Sequence, residues 1–280
     1  MKKSSKNVFF RKISRIAWKS PHSPNTLTRM TINAEHLLLK MKQLNECRND
    51  KDKVTFTHIF IKLLSLALEK YPEANVDLGF LSGTIKSKSD ISITSMVNTA
   101  KSNNHGLAKH DLTVSTLRKL NQKTVSEIAT EMNSKKLIMK NKKESIFKNV
   151  YGLTKKLPGF ILKPLIEGYL FINYTLGINI PFLPYKPFGS IIFSNVGSLG
   201  MTEAYPPLVP LSRCPFIICL GALKHDAWVN QTTLDLSVKP VLILTGVLDH
   251  RYFDGALSAK ILNYVEKICH KPDLIEQHVG

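Results

Sequence analysis

The order of elements in this sequence predicts an α+β fold, a mixed α/β two-layer sandwich of sheet and helices. Three observations carry that expectation. Helical periodicity recurs in the first half; short apolar or β-branched segments follow Pro187; an amphipathic helix closes the chain. With 280 residues, 43% of them hydrophobic, the chain has material for one large domain with a sizeable core, which excludes general disorder. No internal repeat divides it, so residues 1–280 are read as a single domain.

Residues up to about 30, with Lys2, Lys3, Lys6, Arg11, Lys12, Arg15 and Lys19, read as a basic arm ending at Pro21 and Pro24. From Ala34 to Glu46, Leu37, Leu38, Met41 and Leu44 recur at helical spacing, and Asn33 can cap the start. A more apolar helix is expected from Thr55 to Tyr71, stopped by Pro72, with His58 as a structural residue at its edge. Alternation at Asp90–Val97 predicts a strand, Gly106–Asp111 a loop, and Ser115–Met132 a surface helix buried through Leu117, Leu120, Val125, Ile128 and Met132. Between Glu167 and Lys186 lie 18 uncharged residues, the length of a short membrane span. Asn173, Gly177, Asn179, Pro181 and Pro184 interrupt them, so two short apolar helices within Leu157–Pro184, packed on the domain or lying on a membrane surface, fit better. Strands are then expected at Gly189–Ser194, Phe216–Gly221, Thr233–Val238 and Val241–Leu248, and a helix from Gly255 to about His270.

Thirty-nine Lys and Arg against 21 Asp and Glu give a net charge of +18, of which +16 falls in residues 1–150. A half this basic suits an anionic partner: phosphates of a cofactor, an acidic protein, a membrane surface or nucleic acid. Aromatic–basic interleaving and recognised nucleic-acid modules are missing, so nucleic acid ranks last. Cys47, Cys214, Cys219 and Cys269 show neither a Cys-x-x-Cys pair nor metal-ligand spacing, and are read as reduced thiols with no metal. The start carries no apolar run of signal-peptide length, which points to the cytoplasm, with the inner face of a membrane as a peripheral site.

Two segments hold candidate chemistry. Leu248-Asp249-His250-Arg251-Tyr252-Phe253-Asp254-Gly255 joins a strand to a helix, a turn that presents side chains to a cleft. His250 there can serve as a general base near neutral pH. Asp254 can fix the loop through an arginine or a backbone N–H, and Gly255 can let the chain turn into the helix. In Gly189 to Gly200, a strand ends at Ser194 and a glycine-punctuated loop begins, a place from which a hydroxyl can donate to an oxyanion. A Gly-x-Ser-x-Gly elbow, a phosphate-binding loop and a dinucleotide fingerprint are all missing.

In this order the two segments resemble the catalytic domain of the dihydrolipoyl acyltransferases of 2-oxoacid dehydrogenase complexes, related to chloramphenicol acetyltransferase. Asp249-His250-Arg251 through Asp254-Gly255 is similar to that family's His-x-x-x-Asp-Gly motif, and Ser194, Asn195 and Gly197 to its strand-end serine motif. Pro72-Glu73-Ala74-Asn75 resembles the end of its first core helix. The resemblance implies a chloramphenicol acetyltransferase-like fold and an acyl transfer between a coenzyme A thioester and an unidentified acceptor by direct attack. It makes His250 the base, Ser194 the oxyanion donor and Asp254 the orienting carboxylate, paired with Arg11 or Arg15; Asn195, Arg251, Gly255 and Asp249 support them. It implies coenzyme A or acyl-coenzyme A as substrate with no prosthetic group, a homotrimer with active sites between subunits, and an acyl carrier or lipoyl protein as candidate partner. The alternative is a catalytically inactive trimeric scaffold or binding module of the same fold. Neither a lipoyl domain nor a peripheral-subunit-binding domain is read in these residues, and about residues 140–186 stand as an apolar insertion relative to the complex-forming members.

Overall fold

The computed structural model describes residues 25–49, 52–78, 85–98, 112–142, 157–181, 183–230 and 232–276. Its helices among these residues are α1 (Glu35–Asn45), α2 (Phe56–Lys70), α3 (Val125–Lys142), α4 (Gly159–Leu170) and α5 (Gly255–His270). The strands are β1 (Asn25–Asn33), β2 (Val76–Leu78), β3 (Ile85–Ser87), β4 (Ile93–Asn98), β5 (Leu112–Leu117), β6 (Ile191–Asn195), β7 (Phe216–Leu220), β8 (Lys224–Val229) and β9 (Leu236–Asp249). Seven of them form one sheet in the order β1-β9-β7-β6-β4-β5, with β8 on the near part of β9; β2 and β3 make a separate pair. Strands β4, β6 and β7 run parallel, and the remaining pairings are antiparallel. A mixed sheet with helices on one side is the architecture the element order predicts.

Alternation along the strands divides the two faces. Ile191, Phe193, Phe216, Leu220, Leu242, Leu244 and Leu248 join the main core with α2 and α5, while Ile192, Ile217 and Cys219 join a second cluster under Ala204 and Leu208. Helix α2 is the centre of the first layer, buried continuously from His58 to Leu68. Each fully buried Leu or Ile along it contributes about 1.5–3 kcal/mol, so this helix is a large part of what holds the layer. Its start is a capping box in which the Thr55 N–H donates to His58 Nδ1 at 3.1 Å. Lys62, also buried, donates to the Leu120 and Asn121 carbonyls at 3.4 and 3.2 Å, which ties α2 to the turn before α3.

Several expectations are corrected. Ser115–Met132 is not one helix: Leu112–Leu117 is a strand paired with β4, and the helix begins at Val125 behind a Thr124–Glu127 box. The β-branched Thr113, Val114 and Thr116 favour the ladder, and Lys119 at φ 52° breaks the path before the helix. The end of the expected basic arm is strand β1, because its alternating residues complete the sheet beside β9; residues 1–24 lie outside the described ones. Of the expected Thr233–Val238, Leu236 onward joins Val241–Leu248 in a single strand, β9, while Thr233 to Asp235 lie in the turn before it. Pro240 is tolerated in it because it falls just beyond the β1 register, where its carbonyl accepts from Ala34 N and no ladder N–H is needed. Leu157–Pro184 holds one α-helix followed by a π-helical turn, Phe171–Thr175, rather than two helices. The loop Gly106–Asp111 lies outside the described residues.

Candidate active site

Asp249 organises the turn that carries His250. It is the last residue of β9, 2% exposed, and its N–H donates to the Pro215 carbonyl. Its carboxylate accepts from Arg251 N at 3.1 Å, Arg251 Nε at 3.0 Å and Arg251 Nη2 at 2.7 Å. Two of these come from the guanidinium fork, a geometry only arginine supplies. The Asp249 carbonyl also accepts from Tyr252 N and Phe253 N, and Phe253 is anchored on Phe216 at 4.7 Å between ring centroids. His250 is thus an exposed residue, as is Arg251, on a turn fixed on both sides.

Asp254 caps α5, its side chain accepting from Leu257 N at 2.9 Å. Arg11 and Arg15, its expected partners, lie outside the described residues. Gly255 departs from expectation: it has no positive φ, and a Cβ added to it would meet nothing within 4 Å. The turn into α5 is made by the extended backbone of Asp254, so the chain itself does not require glycine at 255.

At the other motif, Ser194 is half-buried, and its Oγ makes no hydrogen bond within the described residues. By strand alternation it shares the face of Ile192, away from the helices. Its register partner on β7 is Cys219, whose thiol burial pushes up to about 11, leaving a neutral and poorly nucleophilic sulfur beside it. Asn195 points the other way: its Nδ2 donates to Thr57 Oγ1 at 2.8 Å, and its Oδ1 accepts from Ser198 N at 3.1 Å. That fixes the strand end to the first turn of α2. Gly197 is required by crowding, since a Cβ there would sit 2.6 Å from the Ala222 nitrogen. Neither Thr57 nor the covering contact from Thr245 Oγ1 to the Ala204 carbonyl, 2.6 Å, stands out in the sequence, because both arise from distant segments meeting.

The two motifs are not brought together within one chain. Ser194 pairs with Cys219, and Cys219 with Thr245, five residues before His250. Two strand spacings across and five residues along place Ser194 and His250 roughly 20 Å apart, at opposite ends of the sheet. Among the described residues, no group of three or more His, Cys, Asp and Glu is placed to hold a metal ion.

The mixed sheet carries a histidine turn at one end and a serine–asparagine loop at the other, the two motifs that the sequence resemblance singles out. The sequence profile of the 2-oxoacid dehydrogenases acyltransferase (catalytic domain) family matches residues 6–148 and 188–276, and the chain belongs to that family. It is 23% identical over 266 residues to the dihydrolipoyllysine-residue acetyltransferase component of the pyruvate dehydrogenase complex of Bacillus subtilis, covering 94% of this chain and 49% of that one. The chain spans about half the length of the curated relatives it matches. Among solved structures, a probable dihydrolipoamide acetyltransferase from Listeria monocytogenes superposes with a TM-score of 0.66 at 15% identity, covering 96% and 92% of the two chains. The dihydrolipoamide acetyltransferase of Azotobacter vinelandii does so with 0.64 at 17% identity, covering 96% and 89%. These likenesses confirm the fold.

Proposed function

We propose that this chain transfers an acyl group between coenzyme A and an acceptor thiol, at a site assembled from two copies of itself. The observation that carries the proposal is the separation of Ser194 and His250 by the register of β6, β7 and β9. A base and an oxyanion donor must each lie about 3 Å from the same reacting centre. Residues at opposite sheet ends meet that requirement only across a subunit boundary, as in a closed ring where the serine end of one copy meets the histidine end of the next.

His250 takes the proton from the acceptor thiol as its sulfur attacks the thioester carbonyl carbon. The carbonyl oxygen becomes an oxyanion and accepts from the Ser194 hydroxyl. The intermediate collapses by breaking the bond to the coenzyme A sulfur, which receives the proton from the imidazolium. No acyl-enzyme forms, and atoms and charge balance. The Asp249–Arg251 pair holds the base in place, Asp254 holds the start of α5, and Asn195 holds the serine strand end. A serine, a histidine and an asparagine four positions beyond that histidine have been investigated in the catalytic mechanism of the A. vinelandii enzyme. That spacing supports the roles of Ser194, His250 and Asp254 here. The B. subtilis relative is named for transfer to a dihydrolipoyllysine residue, which supports a dihydrolipoyl thiol as the acceptor. The +16 of residues 1–150 suits the phosphates of coenzyme A.

The test is acyl transfer from acetyl-coenzyme A and longer thioesters to dihydrolipoamide, followed by release of coenzyme A. His250→Ala is expected to lower the rate by about 10²–10⁴-fold. Ser194→Ala is expected to lower it on the order of 10²–10³-fold. Wild-type turnover by folded His250→Ala protein overturns the proposal.

A further inference from the structure

Helix α4 has an inverted surface. Its exposed residues are Phe160, Ile161, Pro164, Leu165 and Gly168, which share one side of the helix, and none of them is polar. Phe160 is 78% exposed and Leu165 56%, while Leu162 and Leu170 are the residues buried against the domain. A surface helix of a soluble protein ordinarily turns charged residues outward. The apolar face continues beyond the π-helical turn into Leu176 and Ile178, both more than half exposed. Contiguous apolar surface of this kind marks a binding face.

This segment is held firmly. Arg213 Nη1 donates to Thr175 Oγ1 at 3.4 Å and its guanidinium lies 5.3 Å from the Tyr174 ring centre. The Phe188 N–H donates to the Tyr174 hydroxyl at 3.1 Å, and Asn173 Oδ1 accepts from Lys186 N at 2.6 Å. Arg213 lies three residues before Phe216, which pairs with Leu248, so α4 is anchored at the His250 end of the sheet. The family profile passes over residues 149–187, so the apolar face belongs to this chain's own elaboration of the fold.

Charge selects the occupant. Residues 135–156, which lead directly into α4, contain eight lysines and one glutamate, and the whole chain carries +18. An apolar helical face preceded by a polybasic stretch combines shallow insertion with attraction to anionic headgroups. Among the described residues no helix is long and apolar enough to cross a membrane, so the contact lies on the surface. We infer that α4 and the segment after it dock this domain on an anionic lipid bilayer.

The experiment is co-sedimentation of the full chain with vesicles of phosphatidylcholine alone, and with a third of the lipid replaced by phosphatidylglycerol. Binding to the anionic vesicles is expected to exceed binding to the neutral ones by at least about tenfold and to weaken with salt. Phe160→Asp with Leu165→Asp should lower it by a further factor of about ten or more, with thermal stability and transfer to dihydrolipoamide unchanged. Lys140→Gln, Lys142→Gln, Lys143→Gln and Lys148→Gln together should lower it independently. Failure of the chain to sediment with phosphatidylglycerol vesicles overturns the inference. Vesicle binding indifferent to the double aspartate overturns it too, as does a drop in oligomer mass in light scattering, which would make the face a contact between copies. The vesicle results do not bear on the transfer reaction, which is measured without lipid.

Discussion

Ser194 and His250 stand at opposite ends of one sheet, linked by the register Ser194–Cys219–Thr245 and the four residues of β9 that follow Thr245. This geometry turns a list of plausible catalytic groups into a statement about assembly. Neither group completes a site with the other in its own chain, so the proposed transfer requires a second copy.

Subunit complementation follows directly. Ser194→Ala and His250→Ala proteins are each expected to be nearly inactive, but refolded together from denaturant they should regain activity. In a randomly mixed ring, about a quarter of the boundaries join an intact serine to an intact histidine. Activity per site near that fraction of wild type is the expected reading. Complete silence of the mixture, with mixed oligomers verified by mass, would show that the two groups do not act together across a boundary.

Asp254 separates capping from charge. Asp254→Asn keeps an oxygen for the Leu257 N–H and should leave stability within a few tenths of a kcal/mol, whereas Asp254→Ala should cost about 1 kcal/mol by denaturant titration. Transfer activity of the Asn variant within a few fold of wild type is expected, because its side-chain oxygen keeps the bond to the Leu257 N–H that holds the start of α5. A large activity loss in the Asn variant alone would assign the negative charge a catalytic task.

In the proposed mechanism Asp249 positions His250. Asp249→Asn weakens the charge-assisted fork to Arg251 and loosens the turn, so kcat should fall by roughly 10–100-fold with little change in KM. Arg251→Lys cannot restore the two-point contact and should behave similarly. Equal losses in KM and kcat would point instead to substrate binding.

His58 makes stability depend on pH. Burial first, then the positive charges of Arg48 and Lys136, push its imidazole down to about 4 from 6.5. Between those values the unfolded chain binds the proton and the folded one does not, so stability rises with pH across the window. The contribution is complete above 6.5 and is lost as the pH falls toward 4, on the order of 3 kcal/mol at most. Urea titrations from pH 7 to 4 should show the decline, and His58→Gln, which can keep the Thr55 N–H bond, should flatten it. An unchanged pH profile in that variant would remove His58 as the cause.

The closing helix, Gly255–His270, was legible in the sequence because its apolar spacing, its aspartate cap and Pro272 are all local signals. Helix α2 was legible for the same reason. Strands β1 and β8 were not: β1 buries only Met30 and Ile32, and β8 is exposed at four of its six residues, so neither shows a clear apolar face. The Leu112–Leu117 strand was hidden because Leu117 and Leu120 also fit a helical period, and only pairing with β4 resolves the ambiguity.

The residue types of the site and the order of its two motifs were written in the sequence, since chemistry needs an imidazole, a hydroxyl and their local supports. Their spatial relation was not. Strand order and register are set by which distant segments bury each other's faces, and that long-range packing decided that Asp249 grips Arg251, that Asn195 grips Thr57, and that Ser194 and His250 face different neighbours.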